Sequence, residues 1–260
     1  MIPDSHAHLD LIDLDPREVV SHARSGGVSP VITIGITLES SRIAAALAES
    51  LEGVYASVGV HPNDSSSAGD ADLAGLEEIA HSSRRVVAVG ETGLDYYRDR
   101  VPAVVQKESF RRHIELARRL GKALIVHDRE AHADVLDILA GEETGDIPVV
   151  MHCFSGDEAV LAECIRRGYY MSFAGPVTFR KADAARRAAA AAPLDRLLAE
   201  TDSPFLSPEP FRGKPNLPER VRLVAEELAR VRSLEMEEME RILTENTRRA
   251  FGLDGRGVGL

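Results

Sequence analysis

The sequence predicts an α/β fold, a (β/α)8 TIM barrel formed as one domain over residues 1–260. Three observations predict it. Eight short apolar runs alternate with helical patterns, repeating roughly every 30 residues. Several runs are apolar almost throughout, such as Val86-Val87-Ala88-Val89-Gly90 and Ala123-Leu124-Ile125-Val126-His127. That is the composition of parallel strands covered on both faces. Finally, side chains able to bind a metal stand at the ends of several runs, where such barrels gather their active sites. No glycine-rich phosphate fingerprint supports an open doubly wound sheet. No residue motif is shared from unit to unit, as a solenoid would require.

The first strand is expected at 2–6, leading into His6. A helix follows, with Asp15 as N-cap and Pro16 at its first position, and it stops at Gly26-Gly27. Val-Ile-Thr-Ile-Gly gives the second strand at 31–35, and the β-branched run from Val54 gives the third at 54–61. The fourth, 86–91, ends on Gly90-Glu91. Residues 104–120 carry apolar positions at helical spacing and end at Gly121, a glycine suited to the left-handed residue after a helix. Strands at 123–127 and 148–152 end on His127 and His152. A helix over 157–167 stops at Gly168 in the same way. Strands at 169–174 and 197–202 complete the set, the alanine run 188–192 between them being a good helix former.

A chain of 260 residues buries roughly three quarters of its unfolded surface and needs no covalent staples. The start Met1-Ile2-Pro3-Asp4 lacks the basic and apolar regions of a signal peptide. No apolar run approaches the ~20 residues of a membrane helix. A cytoplasmic location, no membrane partner and two ordinary reduced thiols, Cys153 and Cys164, are the expectation. The net charge of −11 argues against broad, nonspecific duplex binding, which rests on a basic footprint. It does not exclude an anionic substrate at a metal-loaded cleft.

His6-Ala7-His8 is the strongest local signal. Two imidazoles at i and i+2 of an extended segment point to one side and can reach one ion. The chain later offers Glu91, His127, His152 and Asp202 at strand ends, with His61 beside them. The other four histidines, His22, His81, His113 and His132, fall in helical segments and receive no role.

These stretches resemble the TatD-type metal-dependent deoxyribonucleases, a family of amidohydrolase-like barrels. The similarity rests on Asp4-Ser5-His6-Ala7-His8-Leu9-Asp10, Val58-Gly59-Val60-His61-Pro62, Gly90-Glu91-Thr92-Gly93-Leu94-Asp95-Tyr96-Tyr97, Val126-His127-Asp128-Arg129-Glu130-Ala131, His152-Cys153-Phe154-Ser155-Gly156 and Glu200-Thr201-Asp202-Ser203-Pro204. Asn246 to Gly252 resembles the family's C-terminal Asn-x-x-x-x-Phe segment. The resemblance implies that His6, His8, Glu91 and Asp202 hold one divalent ion and that Glu91, His127 and His152 hold a second, Glu91 bridging. It also implies a 3′-to-5′ exonuclease. Two positions depart from the pattern. Pro215-Asn216-Leu217-Pro218 has Leu217 where the family carries an acid, and His113 stands where a glutamine is common.

The residue types agree with that implication. Mixed imidazole and carboxylate donors suit zinc or manganese, and turnover with magnesium is compatible. A carboxylate bridge holds two metals about 3.5–4 Å apart, the spacing that clamps the attacking and leaving oxygens of a displacement. Glu91 and Asp202 are the catalytic candidates, Asp202 accepting a proton from the attacking water. His61 and Arg129 are the candidate phosphate contacts. Tyr96, Tyr97, Phe154, Phe179, Phe205 and Phe211 fall on the predicted catalytic-face loops, interleaved with Arg98, Arg100, Arg129, Arg180, Lys181, Arg212 and Lys214. Such interleaving suits single-stranded DNA or 3′ ends, taken by a monomer. The first alternative is another hydrolase on this scaffold, cutting an amide, ester or lactone. The second, a non-enzymatic metal-binding barrel, fits poorly, since closed structural sites are usually cysteine-rich.

Overall fold

The computed structural model describes residues 1–98 and 100–253. Eight strands lie side by side in chain order, each parallel to the next. They are β1 (Ile2–Ala7), β2 (Val28–Ile34), β3 (Val54–Val58), β4 (Val86–Asp95), β5 (Ala123–Arg129), β6 (Val149–Met151), β7 (Tyr170–Phe173) and β8 (Leu197–Ala199). Around them run α1 (Pro16–Ser25), α2 (Leu38–Ser50), α3 (Asp70–Ser82), α4 (Ala103–Leu120), α5 (His132–Gly141), α6 (Glu158–Arg167), α7 (Asp183–Ala191), α8 (Val221–Arg232) and α9 (Met236–Phe251). This is the (β/α)8 barrel the sequence predicts.

The expected stops hold. The Asp15 side chain accepts the Arg17 N–H at 2.8 Å ahead of Pro16. Gly121 and Gly168 end α4 and α6 in the left-handed conformation, at φ of 58° and 73°. There they spare a side chain its clash with the following carbonyl.

Strand alternation divides the apolar side chains in two. Val31, Val54, Leu124, Val149 and Leu197 pack outward with helix residues such as Phe110, Leu139 and Leu228. Ile32, Ile34, Tyr55, Ile125, Val150 and Leu198 turn inward and meet Phe251 and Leu253 after the last helix. Asn246 pins that helix, its amide donating to the carbonyls of Leu194 and Leu197 at 2.7 and 2.8 Å.

β8 and β1 meet at one isolated bridge, Ala7 with Ser203. Asp202 N–H donates to His6 O at 2.9 Å and His8 N–H to Ser203 O at 2.7 Å. Buried Asp4 closes the rest of the seam with its side chain. Its carboxylate accepts the backbone N–H and the hydroxyl of Thr201 at 2.9 and 2.6 Å.

Several predicted ends differ, among them β3, which stops at Val58, three residues before His61. β4 runs on past Glu91 to Asp95, and β8 stops at Ala199, three residues before Asp202. Val89 pairs with Leu124 but Thr92 with Val126, so β4 carries one extra residue opposite β5. Such a bulge bends a strand and re-aims its side chains, and Glu91 sits in it. The glycines on either side make this possible. At Gly90 a Cβ would strike Ile125, and at Gly93 it would strike the His127 carbonyl. Both have φ in the region open to glycine, at 129° and 136°.

Candidate metal centre

The inward rows of the barrel end in polar side chains. Ile125 is followed two residues on by His127, Val150 by His152 and Leu198 by Glu200, each continuing the inward face. Alternation therefore delivers these groups to the mouth. His6 and His8 arrive from β1 with ring centroids 5.1 Å apart.

Glu91 is the hub. It is almost fully buried, and its two oxygens face different imidazoles. Oε2 lies 3.3 Å from His6 Nε2 and 3.7 Å from His8 Nε2. Oε1 lies 2.6 Å from His127 Nδ1, 3.4 Å from His152 Nε2 and 3.7 Å from His61 Nε2. Asp202 Oδ1 closes the first group, 3.6 Å from His6 Nε2 and 3.4 Å from His8 Nε2. All six predicted ligands, and His61, thus converge. Three ligand sets are close enough to share an ion: His6, His8 and Glu91; His6, His152 and Asp202; and His61, Glu91 and His127.

The electrostatics suit cation binding. Burial opposes ionisation of Glu91, yet His152, His127 and His6 together hold it well below the usual carboxylate range. Burial opposes the Asp202 charge too, and His8, His152 and His6 outweigh it. Burial and neighbouring His152 lower His6, keeping it a neutral donor. Both ring nitrogens of His6 and Nδ1 of His8 are buried without a hydrogen-bond partner. Unpaired buried polar atoms are costly. A divalent ion between Glu91 and Asp202 would satisfy the His6 nitrogen aimed at them, so the residues fit a metal. Asp202 and Cys153 adopt left-handed backbone, at φ of 55° and 45°. Non-glycine strain of this kind collects where a side chain must be aimed.

Sequence reasoning missed two carboxylates. Glu200, fully buried, accepts His152 Nδ1–H at 2.7 Å and Cys153 N–H at 2.9 Å. Asp95 Oδ2 faces His127 Nε2 at 3.3 Å. Carboxylates behind metal-binding imidazoles fix the tautomer and strengthen the donor. The inward parity from Leu198 signalled Glu200, but the bulge in β4 breaks the parity that would have signalled Asp95. His113 also has work to do. Its Nε2 accepts Val60 N–H at 3.0 Å and its Nδ1 faces Ser109 O at 2.7 Å, which pins the turn carrying His61 to α4. The Asn216 amide donates to Thr201 O at 2.9 Å and holds the segment after β8, whereas Leu217 packs against the core.

His61 is tautomerically defined. Its Nδ1 accepts Asn63 N–H at 3.1 Å, and burial lowers its pKa to about 4. The ring is neutral near pH 7, with its proton on Nε2, the atom facing Glu91.

The loop aromatics divide. Phe154 is buried against Phe173, ring centroids 5.9 Å apart. Tyr96 donates its hydroxyl to Asp134 at 2.6 Å. Phe179 lies under Arg212 at 4.4 Å, and Phe211 under Arg220 at 4.3 Å. Only Tyr97 and Phe205 of the six stay largely exposed, at 64% and 50%. Of the six loop aromatics, two thus remain largely exposed, while the others are buried, hydrogen-bonded or partly covered by the loops themselves.

The comparisons with known proteins agree with this geometry. The family model described as TatD-related DNase matches residues 3–252. The chain is 40% identical to the metal-dependent hydrolase YabD of Bacillus subtilis over 98% of its length and 100% of that protein's. It is 37% identical to the 3′-5′ ssDNA/RNA exonuclease TatD of Cronobacter turicensis over 78% of this chain and 77% of that one. A solved TatD homologue from Escherichia coli superposes with a TM-score of 0.91 at 30% identity, covering 96% of this chain and 98% of that chain. An amidohydrolase structure from Saccharomyces cerevisiae, at 17% identity and a TM-score of 0.83, shows the shared fold. Family match, near full-length relatives and a converged set of histidines and carboxylates lead to one conclusion: the chain belongs to the TatD family of metal-dependent hydrolases.

Proposed function

We propose that the protein is a phosphodiesterase that removes nucleotides from single-stranded DNA or from 3′ ends, working as a cytoplasmic monomer with two divalent ions. The observation that carries the reading is Glu91, whose two oxygens face two separate groups of imidazoles. That division supports a carboxylate bridging His6, His8 and Asp202 on one side and His127 and His152 on the other. Bound there, two ions of zinc, manganese or magnesium supply positive charge for a phosphoryl transition state and lower the pKa of water.

The chain's own groups do the rest. Asp202, ionised because three imidazoles surround it, takes the proton of the attacking water on a carboxylate oxygen. His61 offers a neutral Nε2–H donor to a phosphate oxygen, and Arg129 on β5 adds a fixed charge nearby. Glu200 and Asp95 hold the rings of His152 and His127 in place. The two cysteines are unpaired, which suits a reducing compartment. Among the described residues no helix is long and apolar enough to cross a membrane.

The test is single-stranded DNA labelled at its 3′ nucleotide, incubated with chelated protein reconstituted with each ion. Stepwise release of the labelled nucleotide, abolished by Glu91→Gln, supports the reading. No release with zinc, manganese or magnesium, with turnover of a lactone or amide instead, overturns it.

A further inference from the structure

The two exposed aromatics follow strands on opposite sides of the barrel, Phe205 after β8 and Tyr97 after β4. In a barrel whose strands run in order, the β8–β1 seam lies across from the β4–β5 pair. Phe205, three residues past Asp202, packs edge-on against His8 with ring centroids 5.9 Å apart. Tyr97, two residues past Asp95, lies beneath the Arg129 guanidinium at 4.1 Å and remains largely exposed. Between them runs a continuous series of imidazoles. His8 neighbours His6 at 5.1 Å, His6 stacks on His152 at 3.8 Å, and His152 lies 5.9 Å from His127. Tyr97 N–H donates to Asp95 Oδ1 at 3.0 Å, and Asp95 Oδ2 faces His127, so Tyr97 is tied to one end of the proposed metal centre and Phe205 to the other, and the Tyr97 end also carries a cation.

We propose that Phe205 and Tyr97 are two base-stacking subsites that grip the nucleosides on either side of the scissile phosphodiester. The proposal rests on the reading of the substrate as single-stranded DNA and adds how the strand is held. A phosphodiester centred over Glu91 directs its two nucleosides toward opposite rims. An aromatic face takes any base, so such subsites confer strand selectivity without sequence selectivity. They also disfavour intact duplex, whose bases are engaged with each other. Arg129 on the Tyr97 ring leaves that end able to hold both a base and an adjacent phosphate.

The experiment is a double-mutant cycle between protein and substrate. Oligonucleotides abasic at the 3′-terminal or at the penultimate position are compared with intact single strand, using wild type, Phe205→Ala and Tyr97→Ala. Loss of one stack is expected to raise KM roughly tenfold. Removing a base and its own aromatic together is expected to cost no more than either alone. Phe205 should couple to one of the two positions and Tyr97 to the other, and Phe205→Trp should restore the coupling. Multiplicative effects at both positions, or coupling of both aromatics to the same base, overturn the proposal while leaving the nuclease reading intact. If the wild-type protein releases no nucleotide, that reading falls and the proposal with it.

Discussion

Replacing Glu200 with Gln removes a charge from behind His152, a proposed metal ligand, while keeping its shape. Glu200 is fully buried, and one oxygen accepts both His152 Nδ1–H and Cys153 N–H. Glutamine offers a carbonyl oxygen at the same place, so both hydrogen bonds survive as neutral ones, roughly half as strong. What is lost is the electron-donating push of a carboxylate on the imidazole. Losing such a partner lowers metal affinity on the order of 10- to 100-fold, or about 1.4 to 2.7 kcal/mol. The assay is calorimetric titration of zinc or manganese into chelated protein, with far-ultraviolet circular dichroism to show that the variant is folded. The step assigned to His127 and His152 should weaken by that factor, and more than the step assigned to His6 and His8, which feels the change through the His6–His152 stack. Asp95→Asn, acting behind His127, should weaken the same step. Two steps that weaken equally, or a variant that binds both ions as wild type does, would refute the reasoning.

Three further predictions follow from the geometry. Glu91→Gln should weaken both metal steps, whereas His61→Ala should keep both ions and lose about 10²-fold or more in turnover; loss of an ion from the His61 variant would make that residue a ligand. Burial lowers the pKa of His113 to about 4 from an ordinary 6.5, so the unfolded chain takes up a proton that the folded chain refuses. The stability this represents is present at pH 7 and lost as pH falls from 6.5 to 4, about 3 kcal/mol in all. In urea unfolding the advantage of wild type over His113→Gln should shrink by that amount across the window, and a pH-independent difference counts against it. Arg129→Ala should flatten the salt dependence of single-strand binding by about one phosphate contact, as read from log Kd against log salt.

Much of the fold could be read from the chain because parallel strands and helix stops leave local marks. Val- and Ile-rich runs mark buried strands, and Gly121 and Gly168 mark left-handed stops. His127 and His152 were legible for the same reason: each continues an inward row by two residues. Glu91 was legible as a candidate ligand but not as a mid-strand residue, since a bulge is a tertiary accommodation between β4 and β5. Asp95, Glu200 and the buried His113 were given no role because their partners lie far away in sequence, at His127, His152 and Val60. Composition placed six aromatics at the loops, but it cannot tell which stay exposed: all six make contacts, and only Tyr97 and Phe205 keep half or more of their surface in solvent.

The seam between β8 and β1 ties assembly to activity. β1 and the segment just after β8 share a single backbone bridge, reinforced by Asp4, and the same junction carries His6, His8 and Asp202. An ion held there works as a clasp across the least-bonded joint of the barrel. Binding to the closed form alone stabilises it by about 2.7 kcal/mol at a hundredfold excess over Kd. Amide exchange in chelated protein should therefore quicken first along β1 and the residues after β8. The proposed ligands come from residues as far apart as 6 and 202, so a chain without its last strand has neither the clasp nor the complete proposed centre. On the two-ion reading proposed above, such a hydrolase stays inert through its own synthesis and becomes competent only when the ring is shut.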